Sequence, residues 1–122
     1  MSTIFYTEST PVTATSTVAA SATTATLTCP TGKTAYINGF IINGLGATSG
    51  SVIAVTVTGI QGGTQTYQYS VPTGATAISP AFQVNFPMPV PGSAVSTNIV
   101  VNVPSFGLGN TNANVTAYGY VK

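Results

Sequence analysis

The chain has 122 residues, 43% of them hydrophobic, and only three formally charged side chains, Glu8, Lys33 and Lys122; it has no His, Asp, Arg or Trp. That inventory excludes a tuned acid–base pair, a metal centre assembled from several donor side chains, and nucleic-acid binding through Lys and Arg. No enzymatic activity, no cofactor, no metal and no nucleic-acid partner are expected.

One domain is expected at this length, able to bury roughly two-thirds of the surface its unfolded chain exposes. Val, Ala, Ile, Tyr and Thr dominate, which favours strands, and helix-surface residues are scarce. No apolar run approaches the roughly 20 residues of a membrane span, and residues 1–11 show no basic stretch, apolar core and small-residue cleavage pattern, so neither a membrane partner nor a secretory signal is expected. Cys29 is the single cysteine, which rules out an intrachain disulfide and suits a reducing compartment such as a host cytoplasm.

Residues 1–23 read as an extended amino-terminal arm, and residues 24–122 as a β-sandwich domain. In the arm, Ile4, Phe5 and Tyr6 form a short apolar patch, and Val12 to Ala20 can pair as a strand once docked. From residue 24 the pattern alternates with period two. Ala25, Leu27 and Cys29 share one face of the next strand, and the turn Pro30-Thr31-Gly32-Lys33 follows. Residues 36–42 are apolar on both faces, which predicts a central strand. In residues 51–59, Ile53, Val55 and Val57 face one way. Gln61-Gly62-Gly63 makes a hairpin connection, because Gly accepts positive φ at little steric cost. Tyr67, Tyr69 and Val71 alternate along the following strand.

Phe82, Val84 and Phe86 continue that alternation in the next strand, which then enters Pro87, Pro89 and Pro91. Prolines cannot donate to a central ladder, so this stretch belongs to an edge or a surface connection. Ile99, Val101 and Val103, then Val115, Ala117 and Val121, mark the inward faces of the last two strands. Seven strands, with an eighth from the arm, fit an all-β, antiparallel two-sheet β-sandwich; a jelly roll suits the count best, and an immunoglobulin-like order stays open.

Cys29 has no His to activate it and alternates with Leu27, so an inert core thiol is the expectation. Lys33 follows a Pro-Thr-Gly turn that lacks the second glycine and the helix of a phosphate loop. Tyr67 with Tyr69, and Tyr118 with Tyr120, form pairs that either stack a sugar or pack across strands; the sugar reading requires Tyr67 and Tyr69 at the surface. Asn114-Val115-Thr116 matches a glycosylation sequon by chance. The run Phe86-Pro87-Met88-Pro89-Val90-Pro91 is held extended by its prolines, with Phe86, Met88 and Val90 on one side as a docking strip, or with Met88 in the core.

The run Cys29-Pro30-Thr31-Gly32-Lys33-Thr34-Ala35-Tyr36-Ile37-Asn38-Gly39-Phe40, the Thr-Val strand, the Gly-Gly hairpin, Val71-Pro72-Thr73-Gly74 and the closing Tyr-containing strand together resemble the small β-sandwich structural proteins of tailed bacteriophage virions. The capsid decoration, or cement, proteins are most similar in size and make-up. The resemblance implies a jelly roll that forms homotrimers on the capsid surface, clamps the major capsid protein with terminal arms and carries no cofactor. The expected partner-binding residues are Ile4, Phe5, Tyr6, Phe86, Met88 and Val90. A carbohydrate- or receptor-binding module, or a tail-associated structural protein, is the alternative. Removal of residues 1–22 is expected to leave the sandwich folded but to weaken attachment to its partner.

Overall fold

The computed structural model describes residues 10–18, 21–44, 51–71, 73, 81–109 and 113–122. They form eight strands: β1 (Thr10–Val18), β2 (Thr23–Leu27), β3 (Ala35–Gly44), β4 (Ser51–Thr58), β5 (Gln65–Val71), β6 (Phe82–Pro91), β7 (Ile99–Val103) and β8 (Ala113–Val121). Two four-stranded sheets result, with orders β1-β8-β3-β6 and β2-β7-β4-β5. Every pairing is antiparallel. First pairs with last, second with seventh, third with sixth and fourth with fifth, a nested order consistent with the expected jelly roll.

Alternation decides which side chains are inside. Leu27, Ile37, Phe40, Ile42, Val55, Val57, Ile99, Val101 and Val115 are all buried. Each such side chain contributes about 1.5–3 kcal/mol by leaving water. Cross-strand register joins them: Val57 lies opposite Val101, and Ile42 opposite Val115. β7 packs across the sandwich against β3 and β8, and β1 meets β2 along one side. The side between β5 and β6 is sealed by rings, with Phe82 6.4 Å from Tyr67 and 5.7 Å from Tyr69, and Tyr67 edge-on to Phe40 at 5.5 Å.

Residues 10–18, assigned to an arm from the sequence, are the edge strand of the first sheet. They pair with β8 from Thr10↔Val121 to Val18↔Ala113, and Val12 packs against the core. The expected strand over Val12 to Ala20 thus runs from residue 10 to 18 and belongs to the sandwich itself. Residues 1–9, with Ile4, Phe5 and Tyr6, lie outside the described residues.

The central strand β3 is bulged. Ile37 pairs with Gly119 and Gly39 with Tyr118, so Asn38 is an extra residue with no opposite number on β8. The bulge shifts the alternation by one, and both Ile37 and Phe40 reach the core. On the other side of β3 the mismatch is larger. Val90 pairs with Ile37 and Asn85 with Gly39, so Phe86, Pro87, Met88 and Pro89 all stand opposite Asn38. Pro87 and Pro89 have no N–H to give, and the ladder gives way where they stand.

Candidate functional site

The bulge and the glycines beside it organise the outer face of the first sheet. In one row across the four strands stand Thr13, Tyr118, Gly39 and Asn85. A side chain at position 39 would meet the Tyr118 hydroxyl at 2.8 Å and its ring carbon at 3.1 Å. Because Gly39 has none, the Tyr118 ring crosses over β3 and its hydroxyl donates to Asn85 Oδ1 on β6. Gln83 Nε2 reaches the same hydroxyl at 3.5 Å and Asn85 Oδ1 at 3.4 Å. In a second row Tyr120 lies opposite Tyr36, and the two rings stack at 4.8 Å with 12° between their planes. Asn114 Nδ2 donates to Asn43 Oδ1 at 3.2 Å, so the sequon asparagine is engaged within the sheet.

Among the described residues this face carries no charge. Tyrosine rings, amides and hydroxyls cover it, and it borders the Phe86–Pro89 excursion. Met88 is 78% exposed there, while Phe86 and Val90 are half-buried against the core. The three side chains therefore do not project together: the outer two anchor the excursion and Met88 stands alone at its outside, not in the core. Asn38 Oδ1, opposite the excursion, is buried and has no hydrogen-bond partner among the described residues. A buried acceptor left in that state costs about 1–3 kcal/mol.

The other tyrosine pair points inward. Tyr69, 9% exposed, lies opposite Ile53, and Tyr67 lies opposite Val55. Burial pushes the Tyr67 phenol above its ordinary range, and its hydroxyl donates to Gln65 Oε1 at 2.6 Å. This pair packs across strands, and its rings are not available to stack a sugar.

Lys33 ends a turn in which its N–H donates to the Pro30 carbonyl at 3.2 Å and Gly32 takes φ 83°. Strand β3 follows, where a phosphate loop would require a helix. Cys29 is buried, and its Sγ donates to the Lys33 carbonyl at 3.0 Å, a structural thiol without a base beside it. Among the described residues no three His, Cys, Asp or Glu side chains gather as metal ligands, and no helix is long and apolar enough to cross a membrane. Asn38, Gly39, Gln83 and Asn85 were not singled out by their sequence pattern. Gly39 inside an apolar strand was the available signal, since a strand glycine marks a bulge or a close approach.

The chain matches no known protein-family model, and no curated protein is recognisably similar to it.

Proposed function

We propose that the protein is a non-enzymatic structural subunit of a tailed-bacteriophage virion, a capsid decoration protein that sits on the capsid surface as a homotrimer and braces the major capsid protein. The observation that carries this reading is the outer face of the first sheet, without charge among its described residues, beside the exposed Met88. Such a face is covered by a neighbour with little desolvation of charge. Each 100 Å² of apolar area buried contributes about 2.5 kcal/mol before association costs, and a repeating lattice multiplies modest contacts. The test is cosedimentation with capsids assembled from a major capsid protein of the same virus, followed by cryo-EM of the decorated particles. Saturable binding at fixed lattice positions supports the proposal. Absence of binding, or labelling of the tail on intact particles, would sink it.

The glycan reading that needs Tyr67 and Tyr69 at the surface fails with their inward packing. A different form of it, on the outer face, is favoured by one observation: the Tyr118 ring crosses Gly39 beside the Gln83 and Asn85 amides, a combination of aromatic surface and amide groups that suits an uncharged sugar. Glycan-array binding that is lost in Asn85→Ala would favour this reading over decoration.

A further inference from the structure

We propose that the protein docks through the end of the sandwich that carries Lys33 and Lys122, and that its partner there is a carboxylate-bearing protein surface. The inference rests on the decoration reading and adds the orientation of the subunit on the shell.

Lys33 and Lys122 are the only charged side chains among the described residues, and most of the chain separates them. The fold brings them together. The Thr34 N–H donates to the Lys122 carbonyl and the Lys122 N–H to the Thr34 carbonyl, both at 3.0 Å. Both lysines are exposed. At the same end β1 begins, with Thr10 opposite Val121. The far end, where β3 and β5 finish and β4 and β8 begin, shows no charge among its described residues.

The backbone beneath the lysines is tied into a hub by the loop between β6 and β7. The Ser96 N–H donates to the Lys33 carbonyl at 2.8 Å, and Ser96 Oγ accepts from the Gly32 N–H at 2.8 Å. Asn98 Oδ1 accepts from the Cys29 N–H at 2.8 Å, and the Ser93 N–H donates to the Gly59 carbonyl at 2.8 Å. Ser96 has φ 65°, a left-handed conformation that a non-glycine residue keeps only when its surroundings over-determine it. Beside it Val95 is 58% exposed. The result, among the described residues, is a preorganised end with two cations beside the exposed Val95, which loses little conformational freedom on binding.

Two cations select the partner class. Nucleic acid and anionic lipid are held by many Lys or Arg acting together, so a pair of lysines gives them negligible affinity. Protein carboxylates are different, since one or two charge pairs at an interface set its orientation and association rate.

The experiment uses the full chain and capsids of a major capsid protein from the same virus. A zero-length carbodiimide crosslinker should couple Lys33 or Lys122 to Asp or Glu of the capsid subunit, as read by mass spectrometry. The double reversal Lys33→Glu with Lys122→Glu should weaken binding about tenfold, while salt alone should weaken the wild type only about threefold between low and high concentration, because two charges take part. Leu108→Glu, at the far end and 82% exposed, should bind as the wild type does. Unaltered melting temperatures establish that all variants fold. If the double reversal binds like the wild type, or Leu108→Glu is the variant that loses binding, the docking end is wrong and decoration stands. If the wild type binds no capsid, decoration fails and the docking end with it.

Discussion

The backbone carbonyl of Tyr36 fills the space that a side chain on Gly119 would need. β3 and β8 therefore approach as closely as they do only because position 119 is bare. Gly119→Ala should cost about 2–4 kcal/mol in chemical denaturation, through displaced backbone at the centre of the first sheet. Gly62→Ala is the comparison: a methyl there meets nothing within 4 Å, although φ is 92°. It should cost about 1 kcal/mol, from backbone strain alone. Equal costs would contradict the close approach of the two central strands.

Truncation separates the chain before β1 from β1 itself. A variant beginning at residue 10 keeps every described strand and should remain folded by circular dichroism. One beginning at residue 19 removes the strand paired along all of β8, together with the Val12 packing, and should be strongly destabilised or unfolded by circular dichroism. Residues 10–18 are a sheet edge, so removal of residues 1–22 does more than trim a tail.

Stability should respond to alkali more than to mild acid. With no His and one carboxylate side chain, little titrates between about pH 5 and pH 8. Tyr67 contributes on the basic side. Burial raises its pKa in the folded state, so the unfolded chain releases that proton first. Its stabilising contribution is complete below about pH 10 and is lost as pH rises through the folded-state value. Thermal melts across this range should fall on the alkaline side, and Tyr67→Phe should reduce the fall.

Met88→Asp should leave the melting temperature unchanged, because the side chain is outside the core, and the effect on stability should stay within about 0.5 kcal/mol. If the decoration proposal holds, capsid binding measured by cosedimentation should nevertheless weaken. Phe86→Ala behaves oppositely: that ring packs on the core, and its loss should lower stability.

The strands were legible because period two survives in them: Leu27, Val55, Val101 and Val115 point inward as their alternation requires. The prolines likewise marked β6 as an edge. Residues 36–42 hid more. An apolar run on both faces carries no phase, so the bulge at Asn38 that turns both Ile37 and Phe40 inward left no pattern except Gly39. The tyrosines show the same limit. Tyr67 with Tyr69 and Tyr118 with Tyr120 have identical spacing, yet one pair is inside and the other outside, because spacing says that residues share a face and not which face is covered. The meeting of Lys33 with Lys122 depends on β8 returning beside β3, a long-range pairing that no local signal encodes.

The two edges of the first sheet are unlike. β1 presents nine residues of backbone with a single proline, at position 11, whereas β6 carries Pro87, Pro89 and Pro91 and leaves its ladder at Phe86–Pro89. For copies to join edge to edge without end, each β1 must find a β6 able to receive it. The proline edge refuses, so sheet growth of that kind stops at its first step. A protein with so few charges to keep its copies apart thus has, in this sheet, a backbone-level safeguard against growth into a fibre.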